Sequence, residues 1–198
     1  PDRPGKRGKT LIASPVKRCA LQENLTLLQP KRLQAKHLVG FSFDLLIVVA
    51  YGQILKPDVL ALPRIAPINV HASLLPRWRG AAPVQRAILA GDQTTGVTIM
   101  KMAEGLDTGP IIRVQSCAID ASETSDTLFT KLACLGRETL LQAVETIAET
   151  GLVAEPQPET GVTYAHKILK ADAKINWSMS SAHICQHIRA FVPDPIAF

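Results

Sequence analysis

Asn69 and His71 stand two residues apart at the end of the apolar run "PINVH", and the later stretch "AEGLDTG" carries one acid, Asp107, between two glycines. On an extended strand side chains alternate with period two, so Asn69 and His71 project to the same side. An amide donor, an imidazole and a carboxylate suit acyl-type transfer between two amines. The amide N–H steadies the oxyanion of a tetrahedral intermediate. The attacking amine must lose a proton and the leaving amine must gain one, which is work for imidazole and carboxylate. The competing reading is a histidine satisfied in a turn and an asparagine bonded to its own backbone. A serine hydrolase built on Ser73 and His71 is disfavoured. The chain has no G-x-S-x-G elbow, and a serine two residues from its base along one strand is poorly aimed.

Two other clusters invite chemistry. Arg77 and Arg79 bracket Trp78, and they suit either a phosphate and RNA contact or a loop anchor with an arginine over the indole face. His183 and His187 fall at i, i+4 on a helical segment, a metal-capable spacing. No carboxylate lies between them in the zincin pattern, so they read as helix-surface histidines and no metal is expected.

The elements that must position these groups follow from periodicity. "DLLIVVA" (44–50) is a continuous β-branched run, the mark of a strand buried on both faces, and "PINVH" is a second such strand. Their carboxyl ends are where open α/β sheets bind ligands. Residues 83–90 read as a helix stopped by Gly91. "TGVTIMKM" and "IIRVQSCAI" are strands flanking the Asp107 turn, and 125–150 is one long helix. Shorter helices are expected over 16–24, 56–60 and 181–191, the last with an apolar stripe of Ile184, Ile188 and Phe191. Residues 31–41 have helical spacing, whereas "LTLLQP" and "DAKINWS" read as short strands. Strands alternating with helices argue for a parallel or mixed α/β sheet.

Composition bounds the class. The chain has 198 residues, 46% of them hydrophobic, enough for a genuine core. No apolar run approaches the roughly 18 residues a membrane helix needs, so no membrane partner is expected. The four cysteines are scattered, as in a reduced, cytoplasmic protein. Residues 1–18 hold six basic side chains against one acid, a net +5 that equals the net charge of the whole chain. This Pro/Gly-rich segment is either a solvated tail or a loop that contacts a polyanion through its phosphates. The chain opens inside that segment without a methionine and stops at "FVPDPIAF". It is expected to be a fragment lacking both ends.

"INVHASLLPRWRGAAPVQRAI" followed by "GDQTTGVTIMKMAEGLDTG" resembles the 10-formyltetrahydrofolate-dependent formyltransferase family. "LPRWRGAAP" with the basic "PDRP…RGK…SPVK" segment is most similar to its tRNA-acting branch. The resemblance implies an α/β, Rossmann-like formyltransferase domain whose mostly parallel central sheet is flanked by helices, with the first βα unit missing. That domain would span 1–191, and 192–198 would begin a linker to an absent C-terminal β-barrel. One departure is Asp194, where the family pattern has a tryptophan between the linker prolines.

The resemblance also implies a formyl donor, 10-formyltetrahydrofolate, an acceptor, initiator methionyl-tRNA, and a monomer at full length. Asn69, His71 and Asp107 match the family's catalytic trio. Folate contacts map onto Ser73, Leu74, Leu75 and Pro76. The pterin slot maps onto Tyr51, Gly52, Gln53, Ile54, Leu55 and the backbone around Leu106. Arg7 matches the principal contact to the tRNA acceptor arm, with Arg3, Lys6 and Lys9 adding charge. The alternatives are a relative that formylates a sugar nucleotide or ribosyl-amine, and an RNA-binding module without turnover.

Overall fold

The computed structural model describes residues 2–4 and 11–198, which fall into two compact units. The first comprises residues 1–42 and 53–62, the second 43–52 and 63–198.

In the first unit, the two-residue strands β1 (Arg3–Pro4) and β2 (Leu11–Ile12) pair antiparallel. Helix α1 (Pro15–Gln22) starts where the sequence expects it. Ser14 caps it by accepting the Lys17 N–H, and Pro15 supplies a first-turn residue with no orphan donor. The Lys17 ammonium is paired with Asp2 at 2.8 Å, and this hydrogen bond holds the Asp2 carboxyl below its usual range. A short helix, α2 (Pro57–Leu60), also matches expectation. Two expectations fail here. Residues 25–30 form no strand, and 31–41 yield only a 3-10 turn over Ala35–Leu38. Pro30 offers no ladder donor, and Gly40 at φ +88 ends the helical path early.

The second unit runs β3 (Leu45–Val49), β4 (Ala66–His71), β5 (Arg79–Gly80), α3 (Pro83–Ala90), β6 (Thr94–Lys101), β7 (Ile111–Ala118), α4 (Ser125–Thr150), β8 (Tyr164–Ala165) and α5 (Ser181–Ala190). Its main sheet has the order β3-β4-β6-β7. The sheet is mixed rather than mostly parallel: β3–β4 is parallel, whereas β4–β6 and β6–β7 are antiparallel. The loop over 102–110 is too short for a crossover helix, so β6 and β7 must form a hairpin. Nor is β3 buried on both faces. Among the described residues it pairs with β4 alone, and Ile47 and Val49 are 44% and 58% exposed.

Register separates the two faces of β4 and β6. Ile68, Val70, Val97 and Ile99 share one face, which α4 covers with the stripe Leu128, Leu132, Gly136, Thr139, Ala143 and Ile147. The close approach is made at Gly136, where an added Cβ would sit 3.3 Å from a Val70 methyl. Asn69, His71, Thr98 and Met100 occupy the opposite face.

Thr124 caps α4, and Gly91, left-handed at φ +73, ends α3 as expected. Helix α5 packs on α3. Of its expected stripe Phe191 is buried and Ile184 half-buried, whereas Ile188 is 42% exposed and His187 is half-buried with its ring 4.6 Å from that of Phe191. His187 is therefore not a surface histidine. Residues 174–177 form no strand, although Ile175 N–H bonds to the Phe198 carbonyl.

Candidate active site

His71 closes β4 with its side chain on the face away from α4, buried to 6% exposure. Its Nε2 lies 2.9 Å from the carbonyl oxygen of Trp78. A carbonyl oxygen only accepts, so Nε2 carries a hydrogen, and in the neutral ring Nδ1 keeps its lone pair. That Nδ1 faces Asp107 Oδ2 at 3.7 Å, too long for a hydrogen bond and within ion-pair range. Asn69 sits on the same face, about 7 Å back along the strand. Its carboxamide is half-buried and bonds to no described side chain or backbone group. An amide with unspent donors, an imidazole with an open nitrogen and a carboxylate behind it thus share one side of the sheet.

Asp107 comes from the hairpin loop between β6 and β7. It adopts left-handed backbone geometry at φ +50, and its Oδ2 accepts the Gly80 N–H at 2.8 Å. Gly109 lets the loop fold back, since a Cβ there would lie 1.8 Å from the Lys101 carbonyl oxygen. Gly80 is needed for a similar reason. It stands at φ +116 in β5, which pairs parallel with β8, and a Cβ would lie 2.8 Å from the Ala165 carbonyl oxygen.

The Arg-Trp-Arg cluster is a scaffold. Arg77 grips Asp92 through Nε at 2.9 Å and Nη2 at 2.6 Å and stacks 4.4 Å over the Trp78 ring. The indole N–H donates to the same Asp92 carboxylate at 2.8 Å, and the Trp78 N–H donates to Thr163 Oγ1. The hydrogen bond to Asp92 holds the Arg77 guanidinium still more firmly protonated. Arg79 is spent on Gln157, at 3.0 and 2.6 Å. Both arginines are committed within the fold, and the loop anchor is the reading the structure supports. The anchored backbone at Trp78, left-handed at φ +62, aims its carbonyl at His71.

The expected folate residues divide by position. Ser73 is 1% exposed, and its hydroxyl donates to the Arg77 carbonyl. Thr98 Oγ1 donates to the Ser73 carbonyl at 2.7 Å and accepts from the Leu75 N–H at 3.2 Å. The loop over 73–76 is thereby fixed on the site face of β6, where Gly96 makes room for the Leu74 side chain. Leu75 is buried, Leu74 and Pro76 half-buried, and Leu106 exposed. Tyr51 and Gly52 belong to the second unit, whereas Gln53, Ile54 and Leu55 belong to the first. Of the expected tRNA contacts, Arg3 lies in β1, and Lys6, Arg7 and Lys9 fall outside the described residues.

Residues 1–144 match the family described as "Formyl transferase", and residues 167–198 match "Formyl transferase, C-terminal domain". The chain belongs to the formyl transferase family. Among curated formyl transferases, the methionyl-tRNA formyltransferase of Pseudoalteromonas translucida (strain TAC 125) is 50% identical over 202 residues, covering 100% of this chain. That of Paracidovorax citrulli (strain AAC00-1) is 49% identical over 207 residues, covering 98%. The chain spans 63% of the length of each. Among solved structures, an N-formyltransferase from Helicobacter canadensis in complex with folinic acid and dTDP-3-aminofucose shares the fold. Its TM-score is 0.78 at 20% identity, over 91% of this chain and 66% of that one.

Sequence reasoning did not single out Asp92, Thr98, Thr163 or Gln157 as parts of this candidate site. Each acts by holding a backbone segment. Only the glycines at 80 and 109 hint in the sequence that two loops must approach closely there.

Proposed function

We propose that the protein carrying this chain transfers a formyl group from 10-formyltetrahydrofolate to the amino group of initiator methionyl-tRNA. The observation that carries this reading is the open Nδ1 of His71, 3.7 Å from Asp107, on the same sheet face as Asn69. Near-50% identity over the whole chain to proteins named methionyl-tRNA formyltransferase supports the choice of acceptor.

Each residue then has one task. The Asn69 carboxamide donates to the formyl oxygen as it gains negative charge during attack by the methionyl nitrogen. His71 Nδ1 accepts the proton the attacking nitrogen must lose. Asp107 faces the resulting imidazolium, its Oδ2 3.7 Å from Nδ1. The tetrahedral adduct collapses by breaking the bond from the formyl carbon to N10 of the folate, and the proton held at His71 passes to that nitrogen. One C–N bond forms, one breaks, and the proton count balances.

The loop over 73–76 suits the flat donor through shape. Its Ser73 hydroxyl and carbonyl and its Leu75 N–H are already paired, while Leu74 and Pro76 keep partly accessible apolar surface beside the site. Ser73 enters as the residue that sets this loop. Arg7 is read as the principal contact to the acceptor arm, with Arg3, Lys6 and Lys9 adding charge toward its phosphates. The whole protein is read as a cytoplasmic monomer.

The test offers the whole protein formyl-labelled 10-formyltetrahydrofolate with methionyl-tRNA, or with an amino-sugar nucleotide. Label on the methionyl nitrogen is expected. Faster transfer to the amino sugar would replace the acceptor, and turnover with neither would leave only an RNA-binding role.

A further inference from the structure

Fifty residues beyond Asp107, "EPQPE" places Gln157 between two prolines. A residue that precedes proline is held extended, and Pro156 fixes the approach on the other side. The segment is tied to the start of β7 by a two-way bridge, with Ile111 N–H to the Glu155 carbonyl at 2.7 Å and Glu155 N–H to the Ile111 carbonyl at 2.8 Å. Gln157 is thereby delivered to the loop that carries Asp107.

Every hydrogen-bonding position of its carboxamide is used. Nε2 donates to the carbonyl oxygens of Asp107 and Gly109, both at 2.8 Å. Oε1 accepts from Arg79 Nε and Nη2 at 3.0 and 2.6 Å. Arg79 precedes Gly80, whose N–H holds the Asp107 carboxylate. One amide therefore clamps both walls, the loop that supplies the acid and the strand that supplies its N–H partner. The backbone at Asp107 is left-handed at φ +50, a region aspartate tolerates better than most residues, and the clamp holds it there.

We infer that Gln157 is a positioning residue for formyl transfer: it holds Asp107 against Gly80 and in line with His71 Nδ1. The inference rests on the reading of the site given above. An amide is required here. Glutamate at 157 still accepts from Arg79 but loses both donors and sets a carboxylate against two carbonyls. Alanine loses all four contacts.

The test compares Gln157→Ala and Gln157→Glu in the whole protein. Each should lower kcat roughly ten-fold, as misplacement of a catalytic group does, with KM for the folate donor little changed. Amides over 104–109 should exchange with solvent faster in both variants while α4 stays protected. On an Asp107→Ala background, Gln157→Ala should add no further loss, because its effect passes through Asp107. Wild-type kcat, unchanged exchange over 104–109, or an equal further loss on that background would each overturn the inference. Failure of the site reading has a different signature, full activity of Asp107→Ala. The exchange measurement would still report whether Gln157 holds the loop.

Discussion

His71 and Trp78 are joined through ring nitrogen and main-chain carbonyl, Nε2 to oxygen at 2.9 Å. This one bond assigns the two nitrogens of the imidazole different work. Nε2 is committed to the protein, and Nδ1, facing Asp107 at 3.7 Å, is the nitrogen proposed to move a proton. The tautomer is set by a backbone atom, so it survives changes in neighbouring side chains that leave the Trp78 turn intact.

His71→Ala should lower kcat by about 10²- to 10⁴-fold, the range for a lost acid–base group. Asn69→Ala should cost about 10²- to 10³-fold, as for a lost oxyanion donor. In both variants KM should change little, because the missing interactions mature in the transition state. Single-turnover formylation separates the chemical step from product release. Activity near wild type in either variant would remove that residue from the mechanism.

Asp92 gathers the Arg77 guanidinium and the Trp78 indole N–H on one carboxylate. Asp92→Ala should destabilise the fold by about 1–3 kcal/mol. Arg77 is 42% exposed and partly solvated, so the indole donor and loss of loop order supply most of the effect. Activity should fall as well, because the Trp78 carbonyl is no longer aimed at His71. Urea midpoints and kcat on the same samples test both effects. Arg77→Ala, unlike loss of a phosphate contact, should leave the salt dependence of tRNA affinity unchanged.

Much of this was legible in the sequence. The period-two pairing of Asn69 with His71, the glycine stop at 91 and the long helix over 125–150 are local signals, and local signals survive folding. The failures share a cause. "DLLIVVA" reads as doubly buried, yet β3 has one described neighbour, and pairing is not written into a strand's own residues. Residues 25–30 are apolar enough for a strand but find no ladder. Gln157 and Trp78 contribute through carbonyls, amides and turn geometry, which any side-chain pattern hides. His187 is half-buried rather than on the surface because the packing of α5 on α3 chooses the buried stripe.

Gly80→Ala examines the loop-to-loop contact behind Asp107. The added Cβ would lie 2.8 Å from the Ala165 carbonyl oxygen, on a backbone at φ +116 that L residues avoid. Strain of about 1–3 kcal/mol is expected, together with retreat of the Gly80 N–H from the Asp107 carboxylate. A lower melting temperature and reduced kcat should appear together. A wild-type melt would mean that β5 and β8 separate easily, and the contact would then hold nothing in place.

The basic segment is tested by salt. Lys17 is paired with Asp2, and the cations proposed to meet RNA are Arg3, Lys6, Arg7 and Lys9. Each phosphate contact contributes about 0.7–0.9 to the slope of log affinity against log salt, because it releases condensed counterions. Neutralising Lys6, Arg7 and Lys9 together should therefore flatten that slope by about 2–3 and weaken tRNA binding most at low salt. The rate at saturating tRNA should hold, since these side chains are assigned to binding alone. An unchanged slope would make the segment a solvated tail and move recognition of the polyanion elsewhere. An altered rate at saturation would tie the segment to the chemical step, a role its residues were not assigned.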